Sequence, residues 1–134
     1  MLRLGHRRVA VPLRDPALFT DVPRWQAYVR DDPLTLREVT IRFAAADRDL
    51  TRYAREEPRS IRVPTLLVLA GRDRIVENEP TRAFFRQLGT EDRQLVEFPD
   101  AAHTLEFDPA CGDYCRAIGD WAKRCIDGGR HARA

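Results

Sequence analysis

The feature that most constrains the fold is a short, uninterrupted apolar segment in the second half of the chain. It runs from Val63 to Ala70 (VPTLLVLA) and ends abruptly at Gly71-Arg72-Asp73. Apolar and polar residues do not alternate in it, which indicates a strand covered on both faces, as in the middle of a parallel sheet. Such a strand needs helices on both faces and a neighbouring strand on each edge.

Further elements follow this strand in alternating order. Glu79 to Leu88 predicts a helix with Asn78 as its cap, and Gln94 to Phe98 predicts a second strand. Asp108-Pro109 then opens a last helix, whose apolar positions are Tyr114, Ile118, Trp121, Ala122 and Cys125. The order strand, helix, strand, helix predicts an α/β fold with parallel strands.

The first part of the chain, Val9 to Glu57, predicts mostly helix. Asp31-Asp32-Pro33 indicates a helix start, because Asp is a favoured cap and Pro a favoured first residue. Apolar residues at helical spacing follow as far as about Glu57: Leu34, Leu36, Val39, Ile41, Phe43 and Leu50. We therefore divide the chain into a helical segment, residues 1–60, and an α/β segment, residues 61–134.

Composition excludes several classes of function. The net charge is only +2, and the basic residues form no stripe, so neither nucleic acid nor an anionic membrane is an expected partner. No apolar run reaches the roughly 18–20 residues of a membrane span, and the basic N-terminus has no apolar signal region. The cytoplasm is therefore the expected location.

The three cysteines, Cys111, Cys115 and Cys125, lie close together in the last helix. An odd number in a chain expected to be intracellular argues against a disulfide framework. Cys111 and Cys115 could share a helix face, but a metal site would need two more ligands, and only His131 is near in sequence. We expect buried or spare thiols, and no metal or cofactor.

Two candidate catalytic residues lie just beyond the ends of the two predicted strands. Asp73 follows the first strand, and His103 follows the second, 30 positions later. Sites in open α/β sheets form at the carboxyl ends of strands, where a carboxylate can orient an imidazole that then acts as a general base. Taken alone, Asp73 could shape a turn and His103 could be an ordinary loop histidine. Together they favour a catalytic pair.

At these residues the chain resembles α/β-hydrolases of the lysophospholipase and monoacylglycerol-lipase kind. The segment from Val63 to Val76 is similar to their acid-bearing strand and turn. Asp100-Ala101-Ala102-His103-Thr104-Leu105-Glu106-Phe107 is similar to their histidine loop. The first part resembles their lid region through Phe19-Thr20, Trp25 and Asp32-Pro33-Leu34.

The resemblance implies that Asp73 and His103 are the acid and base of a Ser-Asp-His triad, in the chain order of that fold. It also implies a serine in a Gly-x-Ser-x-Gly elbow, with an oxyanion hole beside it. The only serine of the sequence, Ser60, has no flanking glycines, so no nucleophile is assigned in this chain. The fold expected is a partial α/β-hydrolase: a helical lid segment followed by the last two strand-helix units of a parallel sheet.

Three functions remain open from the sequence. The chain could be the C-terminal portion of a serine hydrolase that cleaves lipid-like esters once an upstream half supplies the serine. It could instead be an inactive remnant, or a module that binds a partner or itself through an open sheet edge, because two parallel strands have little independent stability. The third hypothesis, ester hydrolysis by this chain alone, lacks the oxyanion hole.

Other residues have weaker claims to a role. Glu77, Glu79 and Glu106 are expected at the surface. Three aromatic residues, Phe19, Trp25 and Phe43, are expected in the core, with an acyl pocket under a lid as the alternative. The substrate-binding residues are not indicated by the sequence.

Overall fold

The computed structural model describes the backbone of residues 6–131 and the side chains of residues 6–128. The fold is α/β. The first part contains the strands and helices β1 (Arg8–Ala10), α1 (Pro23–Asp31), β2 (Glu38–Thr40) and α2 (Ile41–Glu56). The second part contains β3 (Thr65–Ala70), α3 (Asn78–Arg86), β4 (Arg93–Phe98) and α4 (Cys111–His131). Short 3-10 turns lie at Pro16–Leu18, Pro58–Ser60 and Leu105–Phe107.

The two strands of the second part form a parallel pair, as the sequence predicts. Thr65 lies opposite Arg93 and Ala70 opposite Phe98, so the two strands end at the same level. The bond from the Gly71 N–H to the Phe98 carbonyl, 2.8 Å long, closes the ladder at that end. The residues that follow the strands are therefore placed side by side.

A small apolar core lies directly beneath this end of the sheet. Its buried members are Ala70, at the end of β3, and Ala101 and Leu105, on either side of His103. Partly buried side chains pack against them: Val68, Phe98 and Tyr114. The core therefore supports the two loops that carry Asp73 and His103.

The first part differs from the predicted pattern of helices. The predicted helix start at Asp31-Asp32-Pro33 is wrong, because α1 ends there: the Asp32 N–H donates to the Tyr28 carbonyl. The Asp32 carboxylate accepts the Leu34 N–H at 2.9 Å, so it closes a turn instead of capping a helix.

A short antiparallel strand pair replaces the start of the next predicted helix. Val39 lies opposite Val9 in the pair formed by β1 and β2. Helix α2 begins only after it, with the Thr40 hydroxyl accepting the Phe43 N–H at the cap. Phe43 was expected in the core but is 56% exposed, and other apolar residues of α2, Leu50 and Tyr53, are exposed as well.

No helix within residues 6–131 is long and apolar enough to cross a membrane.

Candidate active site

The candidate acid, Asp73, is held in the turn that follows β3. Its Oδ1 atom accepts two backbone N–H groups, from Ile75 at 2.8 Å and from Val76 at 2.9 Å. Its side chain is only 8% exposed. The two backbone bonds fix the carboxylate and leave its second oxygen, Oδ2, directed to His103.

The electrostatic surroundings of Asp73 favour its ionised form. Burial by itself raises the pKa of a carboxyl group. The Val76 N–H, the His103 ring and the Ile75 N–H outweigh this effect, and the pKa of Asp73 is lowered below its ordinary value of 3.8. The residue is therefore a buried carboxylate that is charged at neutral pH.

The candidate base, His103, is joined to this carboxylate. Its Nδ1 atom lies 2.8 Å from Asp73 Oδ2. An ionised carboxylate can only accept, so Nδ1 carries the proton in this bond and Nε2 is the nitrogen that remains for proton transfer. The His103 side chain is 31% exposed, which leaves the ring accessible while the acid behind it is buried.

Gly71 allows the two loops to approach each other closely. A Cβ atom at this position would lie 2.4 Å from the Pro99 carbonyl oxygen and 2.5 Å from Pro99 Cα. The neighbouring Arg72 N–H donates to the Ala101 carbonyl at 2.9 Å. The acid turn and the histidine loop are thus in backbone contact, which fixes the separation of Asp73 and His103.

A segment from the first part of the chain contacts both loops; we call residues 17–22 the strap. The Phe19 carbonyl accepts the Thr104 N–H at 2.8 Å, and the Phe19 ring meets the His103 ring edge-on with centroids 6.0 Å apart. On the acid side, Arg74 donates to the Ala17 carbonyl and Arg72 forms a 3.0 Å ion pair with Asp21. Nothing in the local sequence pattern indicates these contacts, because they join residues more than 50 positions apart.

An open groove of about 500 Å³ lies beside β3 and reaches His103. One wall is the strand itself, and the other comes from α4 and the histidine loop. The residues that line the groove are mostly apolar: Leu66, Leu67, Val68, His103, Leu105, Glu106, Tyr114, Ile118 and Trp121.

Three other residues considered from the sequence, Glu79, Glu106 and Ser60, form side-chain bonds elsewhere and take no part in the Asp73–His103 bond. Glu79 pairs with Arg82 at 3.3 Å, and Glu106 accepts the Tyr114 hydroxyl at 3.0 Å. The hydroxyl of Ser60 donates to the Glu57 carbonyl in an exposed turn.

The cysteines are free thiols, and no group of three or more metal-binding side chains occurs in the part of the chain that the structure describes. Partial burial, the neighbouring Cys115 and the carboxylates of Glu106 and Asp108 raise the pKa of Cys111. A nucleophilic or metal-binding thiol needs the opposite shift, because the thiolate is the reactive form.

An acid and a histidine at the ends of neighbouring parallel strands, joined through Nδ1, define a chain of the α/β-hydrolase class. The chain belongs to the serine aminopeptidase S33 family, whose family model matches residues 2–110. A comparison with curated proteins found no match.

Solved structures show the same fold. A monoacylglycerol lipase from Paleococcus ferrophilus is 27% identical, with a TM-score of 0.81 over 87% of this chain. A soluble variant of the monoglyceride lipase from Saccharomyces cerevisiae, solved with a substrate analog, is 17% identical, with a TM-score of 0.74 over 89% of this chain. The chain spans 45% of the first lipase and 44% of the second.

Proposed function

We propose that the chain is the C-terminal portion of a serine hydrolase that cleaves carboxylic esters of lipids. The observation that carries this proposal is the 2.8 Å bond between His103 Nδ1 and the buried carboxylate of Asp73. In this role Asp73 orients the imidazole and stabilises its charged form, and His103 is the general base. The serine is supplied by another segment, because the sequence contains no Gly-x-Ser-x-Gly elbow.

The reaction follows from these two roles. His103 Nε2 removes the proton of the serine hydroxyl as the serine oxygen attacks the ester carbonyl. The resulting imidazolium, stabilised by Asp73, protonates the leaving alcohol, and an acyl-enzyme remains. Water attacks the acyl-enzyme while His103 takes its proton, and the imidazolium then returns that proton to the serine oxygen as the fatty acid leaves. The similarity to a monoacylglycerol lipase suggests a monoacylglycerol as the first substrate to test.

The groove beside β3 supports the proposal that a second segment completes the site. The bonds from the N–H groups of Thr65 and Gly71 run toward β4. The alternation of a parallel ladder therefore turns the N–H groups of Leu66 and Val68 to the opposite edge. That edge is apolar and lies open beside the groove. We propose that a strand of the serine-bearing segment pairs here and brings its elbow to His103.

The test begins with the DNA that precedes the Met1 codon. A segment encoding Gly-x-Ser-x-Gly, in this frame or after one frameshift, would be produced together with this chain. The mixture should react with a fluorophosphonate serine probe and hydrolyse monoacylglycerol, whereas the chain alone should do neither. His103→Gln should abolish both activities, and His6→Gln, a change at an exposed histidine, should leave them intact. Labelling and hydrolysis that survive His103→Gln would refute the assignment of the base.

A second candidate function is favoured by the open apolar edge itself. If no serine-bearing segment is encoded nearby, we propose an inactive hydrolase remnant, or a module that binds a partner through β3. This function predicts that no mixture reacts with the serine probe, while the chain still associates through that edge.

A further inference from the structure

The strap carries the most deeply buried side chain that the structure describes. Thr20 is 1% exposed, and its hydroxyl both donates and accepts a hydrogen bond. It donates to the Phe107 carbonyl at 3.1 Å and accepts the Val22 N–H at the same distance. The Thr20 carbonyl in turn accepts the side chain of Gln26 at 2.9 Å. A threonine of the first part of the chain is thus hydrogen-bonded to Phe107, 87 positions later, in the turn that follows His103.

Thr20 and Phe19 together hold both ends of the segment that follows His103. Phe19 accepts the N–H of Thr104, directly after the histidine, and Thr20 bonds to Phe107, at the far end of the turn. The Phe19 ring also lies against the imidazole itself. On the other side of His103, Ala101 is tied to Arg72 in the acid turn. The histidine is therefore held from both sides, and the strap supplies one of the two attachments.

We propose that Thr20 is a positioning residue for His103. Its hydroxyl fixes the strap to Phe107, the strap fixes Thr104 and the imidazole, and the imidazole is thereby kept with Nδ1 toward Asp73. The hydroxyl of Thr20 bonds to Phe107 and Val22, so its effect on His103 passes through Phe19 and the backbone. The inference rests on the proposed function only for the catalytic role of His103; the geometry that Thr20 maintains is measurable without catalysis.

The experiment reads the tautomer of His103 in the chain labelled with ¹⁵N-histidine. Long-range proton–nitrogen spectra in alkaline buffer distinguish Nδ1–H from Nε2–H in each imidazole, and His103→Gln assigns the signal. The wild-type chain should show Nδ1–H at His103. Thr20→Val keeps the shape of the side chain but removes the hydroxyl, and it should shift His103 to a mixture dominated by Nε2–H. Thr20→Ser keeps the hydroxyl and should therefore keep Nδ1–H at His103.

Thr90 provides a matched control. It is the other buried threonine of the described residues, 5% exposed, and its hydroxyl bonds to the backbone of Asp92, the residue before β4. Thr90→Val makes the same chemical change away from the site and should leave the His103 tautomer as in the wild type. Thermal melts of all variants ensure that each spectrum is recorded on folded chain. A role of Thr20 in stability alone predicts a lower melting temperature with an unchanged tautomer.

The outcomes separate this proposal from the proposed function. An unchanged Nδ1–H signal in folded Thr20→Val overturns the positioning role of Thr20. It does not affect the proposal that Asp73 and His103 are a catalytic pair. A wild-type chain with Nε2–H at His103 overturns the pair itself, and the positioning role with it. If Thr20→Val does not fold, Phe19→Leu provides the test: loss of the aromatic contact should produce the same loss of Nδ1–H, and retention of that signal would refute the role of the strap.

Discussion

At the scale of single residues, the charge of Asp73 makes the stability of the fold depend on pH. Its pKa is lower in the folded chain than in the unfolded one. It therefore adds stability above about pH 3.8, and this stability is lost as pH falls through the folded pKa. Asp73→Asn should lower the melting temperature at neutral pH, and its difference from the wild type should shrink as the pH falls below 3.8.

Thermal melts over that pH range check this prediction. Asp47→Asn is the control, because Asp47 is exposed on α2 and far along the chain from the site. A difference between Asp73→Asn and the wild type that stays constant with pH would show that the carboxylate charge has no part in it.

Gly71 is the residue on which the contact between the two loops depends. A Cβ atom at this position would collide with the backbone of Pro99. That backbone cannot move away without separating Asp73 from His103. Gly71→Ala should therefore destabilise the chain by about 1–3 kcal/mol, the usual cost of overpacking. Gly119→Ala in α4 meets nothing within 4 Å and should instead stabilise it by about 0.5–1 kcal/mol. Urea denaturation measures both, and equal effects would contradict the proposed collision.

The positions of Asp73 and His103 could be predicted because each lies within five residues of the end of a strand. The continuous apolar run fixed the first strand, and parallel pairing brings the ends of neighbouring strands together. Thr20 gave no such signal. Its burial depends on a bond to Phe107, 87 positions away, and a lone threonine three residues before a proline has no periodicity that would reveal it.

At the scale of elements, the prediction from sequence was correct where buried faces leave a hydrophobic pattern. It was wrong where polar turns set the ends of helices and strands. Strands β3 and β4 and helices α3 and α4 lie within three residues of their predicted starts. The boundary at Asp32 was wrong because an aspartate accepts a nearby N–H equally well in a turn and at a helix cap. The strand pair β1 and β2 was missed because it joins residues about 30 positions apart, which local periodicity does not record.

Helix α1 owes its stability to aromatic packing. It has nine residues and no side-chain cap, so it is marginal by itself. Trp25 stacks on Phe107 at 4.7 Å and meets Tyr28 edge-on at 5.9 Å. Each such pair contributes about 0.5–1.5 kcal/mol, so Trp25→Ala should weaken α1 by about 1–3 kcal/mol.

Amide hydrogen exchange measures this loss directly. Protection of the α1 amides should fall in Trp25→Ala, while that of α3 stays unchanged. Tyr53→Ala, which removes an aromatic side chain that is 74% exposed on α2, should leave α1 as it is. Unchanged protection of α1 in Trp25→Ala would show that the stacking does not hold this helix on the histidine loop.

At the scale of the whole molecule, the two strands of the parallel sheet differ in character. β4 carries Arg93, Gln94 and Glu97, polar residues typical of the edge of a sheet. β3 is apolar throughout from Leu66 to Ala70, yet within residues 6–131 it pairs only with β4. Its sequence is that of an inner strand, so its open side is the one expected to bind another strand.

We expect the chain produced alone to associate with a second copy through β3. A two-fold dimer would place each substitution in the interface twice, so Leu66→Lys should weaken dimerisation at least tenfold, or about 1.4 kcal/mol. Leu95→Lys makes the same change on β4, where the side chain is 43% exposed, and should leave the dimer intact. Sedimentation equilibrium measures both. A monomer that melts cooperatively at high concentration would contradict the expectation. A serine-bearing segment would bind the same edge of β3, so its addition should dissociate the dimer. Labelling by the serine probe should appear in the same titration, as the dimer is lost.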